Sequence, residues 1–239
     1  MVVSLWSGPR NCSTALMYSF AQRPDTQVFD EPLFAYFLKK TGVNRPSREE
    51  VLATMCSDLS VIQDRWMQAH KPCVFLKHMA NHLEGVNPTM FKEHSHVILT
   101  RDPRKVLKSY KAHVQDPTLL DLCYQHQVKW LNHCDTNQWP VAVLDSDALV
   151  ANPEGSLKRL CAWLGLPFNQ EMLQWTPGPR IEDGVWAKYW YQSVHASSGW
   201  KPPKKEIIDE EGAADLGRFS SLLHEITPIF NQLKDRSII

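Results

Sequence analysis

The sequence holds six cysteines, Cys12, Cys56, Cys73, Cys123, Cys134 and Cys161, but no Cys-x-x-Cys pair and no repeated cysteine spacing. That excludes a zinc ribbon or a regularly spaced disulfide framework and leaves reduced thiols as the expectation. No stretch approaches the ~18 consecutive apolar residues of a membrane helix. The first residues do not run from a basic segment through an apolar one to a small-residue cleavage site, so a cytoplasmic protein with no membrane partner is expected. An excess of one charge is missing as well: 26 Lys and Arg balance 26 Asp and Glu, and the pI is near 7.1. A non-specific nucleic-acid coat is therefore unexpected. There is no internal repeat, no low-complexity tract and no cluster with metal-ligand spacing, so residues 1–239 are expected to form a single domain without a metal. The Gly-x-x-x-x-Gly-Lys-Ser/Thr phosphate loop of nucleotide hydrolases is absent too, which disfavours ATP or GTP hydrolysis.

What is present is an ordinary globular composition, 43% hydrophobic and 22% charged, laid out as short apolar runs alternating with helical periodicity. Val2–Ser7, Gln27–Phe29, Pro72–Leu76, His96–Thr100 and Val141–Asp145 read as strands. A helix opens at Ser13 and Thr14. A long amphipathic helix is predicted from Arg48 to about Gln68, opened by a capping box at Ser47–Glu50, and another from Thr118 to Cys134. Pro103 and Pro153 each sit at the first turn of a helix, and Gly165 ends the second of these. A terminal helix is predicted from about Asp215, preceded by an extended covering segment over residues 193–205. The alternation implies an α/β fold of three layers, a parallel sheet of about five strands flanked by helices. Ligands gather at the carboxyl ends of such strands. Arg10, Asp30, Glu31, Lys77, His78 and Arg101 all stand there.

The opening stretch, Val2 to Phe20, joins a buried strand through Gly8-Pro9 to a helix start, where unpaired N–H groups and the helix dipole favour an anion. Arg10 adds charge, and Ser13 and Thr14 add hydroxyls. Pro9-Arg10-Asn11-Cys12-Ser13-Thr14 resembles the 5′-phosphosulfate loop of sulfotransferases that use 3′-phosphoadenylyl sulfate (PAPS). Arg101 closing a strand, with Ser109 eight residues later on the next helix, resembles that family's 3′-phosphate pair. Leu144-Asp145 leading to Asn152-Pro153-Glu154 and Leu164-Gly165-Leu166 resembles its later strand-helix segment. Cys12 departs from the pattern, since many relatives have glycine there.

The resemblance implies a P-loop-like sulfotransferase fold, PAPS as sulfonate donor, no metal and a small-molecule acceptor. It implies cofactor contacts at Arg10, Asn11, Cys12, Ser13, Thr14, Arg101 and Ser109. The base that takes the acceptor's proton has two candidates: His78, by similarity to the family's Lys-x-His region, with His82 close by; and Glu31, in Asp30-Glu31-Pro32-Leu33. A histidine titrating near neutrality suits such work, whereas a carboxylate needs raising by burial. Lys77 is expected to touch the sulfonate or bridging oxygen, and Arg10 the leaving phosphate. A nucleotide-dependent kinase and a nucleotide-binding protein without turnover are the alternative readings. The sequence carries no signature of the acceptor or of oligomeric state.

Overall fold

Each of the five apolar runs becomes a strand: β1 (Val2–Ser7), β2 (Thr26–Asp30), β3 (Cys73–Met79), β4 (Ser95–Thr100) and β5 (Val141–Asp145). In the computed structural model, which describes residues 1–111, 114–201 and 217–239, all neighbours pair in parallel in the order β2-β3-β1-β4-β5. The helices are α1 (Ser13–Ala21), α2 (Phe34–Thr41), α3 (Arg48–Thr54), α4 (Leu59–Met67), α5 (Pro103–Tyr110), α6 (Leu119–Leu122), α7 (Tyr124–Asn137), α8 (Ser146–Ala151), α9 (Pro153–Leu164), α10 (Ala187–Trp190), α11 (Gln192–His195) and α12 (Ser220–Asp235).

Side chains alternate between the faces of a strand, so each strand feeds two cores. On one face Trp6, Val74, Leu76, Ile98 and Val143 pack with Leu131 of α7 and with Ile226, Phe230 and Leu233 of α12. On the other, Val3, Leu5, Phe75, Val97, Leu99 and Leu144 meet Leu16, Met17 and Phe20 of α1 and Leu157, Leu160 and Cys161 of α9. A smaller cluster joins Phe34, Phe37 and Val51 to Trp186 and Tyr191. Among the described residues no helix is long and apolar enough to cross a membrane.

Three local expectations are corrected. The helix predicted over 48–68 is two helices, because Met55 is extended (φ −108°, ψ 144°) and the Asp58 carboxylate caps α4 by accepting from Ser60 N–H (2.8 Å). Ser47 adopts positive φ (65°) and makes no side-chain cap, so the capping box does not form. The helix predicted over 118–134 breaks at Cys123, whose φ is 67°, after a genuine capping box between Thr118 and Asp121. Residues 192–195 are helical rather than extended, and 202–205 lie outside the described residues, as does the predicted helix start at 215.

Candidate active site

The carboxyl ends of the strands open into a cavity of about 370 Å³, within the range of small-molecule sites. One wall is the β1–α1 loop. Gly8 approaches the neighbouring chain so closely that a Cβ there would lie 3.1 Å from Leu122 O. Arg10 and Cys12 both take positive φ (60° and 61°), conformations that cost of order 1–3 kcal/mol for residues with a side chain and that gather at functional sites. Glycine at position 12 would take this angle without that cost. Asn11 anchors the loop: its Nδ2 donates to Leu99 O (2.8 Å), and its carbonyl accepts from Ser146 Oγ (2.7 Å). The first helical bond of α1 runs from Leu16 N–H to Cys12 C=O (3.1 Å). The amides of Ser13, Thr14 and Ala15 thus precede the ladder, at the positive end of the dipole and in the cavity wall.

Arg101 closes β4 on the same wall. Its Nη1 donates to Arg10 O (3.0 Å) and its Nε to Asp147 Oδ1 (3.1 Å), while Arg10 Nε donates to Ser109 Oγ (2.8 Å). Tyr124 Oη donates to Arg101 O (2.7 Å), fixing the strand end. Arg10, Cys12, Ser13, Thr14, Arg101 and Ser109 therefore share one cavity wall. Asn11 joins them as an anchor whose side chain is turned inward. These residues can hold two anionic groups, one at the helix start and one at Arg101 and Ser109.

Across the cavity, β2 and β3 place Asp30 opposite Lys77 in register. The buried Lys77 Nζ donates to Asp30 Oδ1 (2.8 Å), Glu31 Oε1 (2.6 Å) and Tyr191 Oη (2.5 Å). An ammonium has three protons, and all three are engaged. Lys77, expected as a partner of the sulfonate or bridging oxygen, lines the cavity with its ammonium held by these three groups. Burial alone would lower its pKa, but the charges of Asp30 and Glu31 raise it well above the ordinary lysine value. Glu31 turns the chain with φ 45°. Burial raises its carboxyl pKa, Lys77 pulls it back and Asp30 adds to the rise, leaving it above the ordinary value.

His78 stands away from the cavity. It is fully buried on the opposite face of β3 from Lys77, stacked on Trp6 (4.4 Å between centroids) and edge-on to Trp66 and Phe91, and it does not line the cavity. Burial lowers its pKa well below the ordinary value. His82 is the histidine at the site. It follows β3 in a short 3₁₀ turn (Ala80–Leu83), lies between Phe34 and Phe37, and its Nε2 is 3.9 Å from Glu31 Oε2. Burial, then the charges of Lys77 and Arg45, hold it neutral.

Sequence reasoning missed Tyr191, Arg45 and Asp121. Tyr191 Oη donates to Asp30 (2.8 Å to Oδ2) and accepts from Trp186 Nε1 (3.0 Å). Arg45 pairs with Asp121 in the cavity wall. Asp121 and Arg45 carry no functional motif in the sequence, and Tyr191 stands in an aromatic stretch without periodicity.

Comparisons with known proteins bear on the family and the fold. A family model described as a sulfotransferase domain matches residues 1–237. The sulfotransferase domain from the Synechococcus PCC 7002 olefin synthase has a similar structure, with a TM-score of 0.58 and 14% sequence identity over 92% of this chain and 94% of that one. At that identity the likeness is one of fold. Two curated proteins of Arabidopsis thaliana, branched-chain-amino-acid aminotransferase-like proteins 1 and 2, are 44% and 40% identical over 207 residues, 85% of this chain. The match occupies 37% of each, so the chain spans little more than a third of their length.

Proposed function

The chain belongs to the sulfotransferase-domain family, and from that premise we propose that it transfers a sulfonate from PAPS to a small-molecule acceptor, releasing adenosine 3′,5′-bisphosphate. The observation that carries the donor assignment is the meeting of Arg10, Ser109 and Arg101 on one wall. A nucleotide with phosphates at both 5′ and 3′ positions needs two cationic sites, and this wall offers them side by side. When bound, PAPS supplies an activated sulfonate whose departure leaves charge on a phosphate oxygen. Arg10, the first amides of α1 and the hydroxyls of Ser13 and Thr14 meet that charge, and Arg101 with Ser109 holds the 3′-phosphate. The six free cysteines suit a cytoplasmic setting, where thiols stay reduced.

On the facing wall Glu31 takes the acceptor's proton. Lys77 holds its Oε1, and its Oε2 has no hydrogen bond among the described residues. Raised proton affinity fits a carboxylate for this role. His82, neutral and beside Glu31, is the second candidate.

Calorimetric titration with adenosine 3′,5′-bisphosphate tests the donor site, with Mg-ATP as control. The wild-type protein is expected to bind the bisphosphate and discriminate against ATP. Arg10→Ala and Arg101→Ala should each weaken binding by about 10- to 100-fold, the loss of a charged hydrogen bond. Normal binding by both variants would sink the donor assignment. Glu31→Gln is expected to keep bisphosphate affinity while losing transfer of labelled sulfonate across an acceptor panel.

A further inference from the structure

We propose that Asp30 and Tyr191 are positioning residues for sulfonate transfer: they fix the Lys77 ammonium so that it grips one oxygen of Glu31 and leaves the other open to the acceptor. The inference rests on the reading of Glu31 as the proton-accepting group.

Every donor of this cluster is engaged, and one carboxylate oxygen accepts no hydrogen bond from the described residues. Lys77 spends its three protons on Asp30, Glu31 and Tyr191. The Tyr191 hydroxyl donates its one proton to Asp30 and accepts from both Lys77 and Trp186, which exhausts a phenol. Asp30 Oδ2 accepts a further N–H from Gly184 (3.1 Å). The backbone of Glu31 is clamped as well: its N–H donates to Lys77 O (2.8 Å), and its carbonyl accepts from Phe34 N–H (2.9 Å). What is left over is Glu31 Oε2, whose neighbour His82 stands at 3.9 Å, beyond hydrogen-bond distance. A buried cluster with one unfilled acceptor directs that acceptor to whatever donor enters the cavity.

The charges point the same way. Two carboxylates share one ammonium in a site where Asp30 has no side-chain exposure and Lys77 has 2%. Asp30 raises the proton affinity of Glu31 in two ways: it repels the Glu31 charge, and it competes for Lys77. Around Glu31 the facing ionisable groups are Lys77 on β3, Asp30 on β2, Tyr191 from the α10–α11 corner, His82 after β3 and the Cys123 thiol, which feels the Glu31 charge; Arg45 acts on His82 behind them. Only Lys77 and Asp30 combine full charge with direct contact or chain adjacency, so Asp30 is the neighbour whose neutralisation changes Glu31 most.

The test is the titration of the Glu31 carboxyl by carbon NMR on protein labelled at the glutamate carboxyl, its signal identified by its loss in Glu31→Gln. Asp30→Asn should lower the Glu31 midpoint by about one pH unit, since one neighbouring negative charge is removed. Tyr191→Phe should move it upward, because Asp30 loses a donor and draws Lys77 toward itself. Opposite shifts from two neighbouring substitutions are not produced by loosening of the fold. An unmoved midpoint in a folded Asp30→Asn protein, checked by its melting curve, overturns the proposal. Should Asp30→Asn fail to fold, an unmoved or lowered midpoint in Tyr191→Phe overturns it equally. A Glu31→Gln protein that still transfers sulfonate would instead refute the base assignment, a result separable from either midpoint.

Discussion

Acidification from pH 7.5 to 5 should cost this protein a large share of its stability, and the cause is a set of neutral histidines in the aromatic core. His94 and His96 are buried beneath β1 and β4, with Ser4 Oγ 2.8 Å from His94 Nδ1 and Trp6 Nε1 donating to His96 Nδ1 at 3.2 Å. Burial lowers His94 from 6.5 to about 4; burial, then the neighbouring His94, lowers His96 to about 3. The unfolded chain takes up these protons from 6.5 downward and the folded chain does not, so stability is intact above 6.5 and falls as pH drops toward the folded values. At pH 5 each histidine has withdrawn about 2 kcal/mol, some 4 kcal/mol together, against a typical total of about 5–15 kcal/mol. His78 and His82 act in the same direction, and Glu31, whose folded value is raised, acts against them. The assay is urea unfolding followed by tryptophan fluorescence at intervals from pH 7.5 to 5, Trp6, Trp66 and Trp130 lying in this cluster. His78→Phe sharpens it, because neither ring nitrogen of His78 has a hydrogen-bond partner among the described residues. That variant should remove one proton, about 1.4 kcal/mol per pH unit, from the slope. A stability flat between pH 7.5 and 5, or a slope indifferent to His78→Phe, would refute the reasoning.

Two further outcomes follow from the opening loop. Cys12→Gly should raise stability or leave it unchanged, since the left-handed backbone costs a side-chain-bearing residue about 1–2 kcal/mol, whereas Cys12→Val should lower the melting temperature and bisphosphate affinity together. Ser109→Ala should weaken bisphosphate binding less than Arg101→Ala, because it removes a neutral partner of Arg10 rather than a charge; calorimetry under identical salt ranks the two.

The sheet was legible because each strand is a short apolar run that stops at a polar residue, and that stop is where the cavity lies. Arg10, Arg101 and Ser109 could be brought together on paper because the loop and the strand end each follow from local pattern. Lys77 and His78 show the limit. Neighbours in a strand face opposite ways, so only one of them reaches the cavity, but the pattern does not say which until Asp30 is paired across from Lys77. The helix breaks at 55–58 and at Cys123 were invisible because the apolar stripes run through them and cysteine is not a turn residue. Tyr191 was beyond reach for a different reason: its charged partners, Lys77 and Asp30, are more than a hundred positions away, and it stands in an aromatic stretch with no period.

That distance has a consequence for how the molecule is made. Lys77 waits for a hydroxyl 114 positions downstream, and Tyr18 for the Asp183 carboxylate 165 positions downstream. During synthesis the segments that carry Tyr18, Asp30 and Lys77 leave the ribosome long before Asp183, Gly184 and Tyr191, which complete their hydrogen bonds. Contacts of such separation form late and slow the search. Nascent chains ending before residue 183 should therefore hold a collapsed sheet whose Lys77 ion pairs lack their last hydrogen bonds, making the 183–191 corner the closing step of folding.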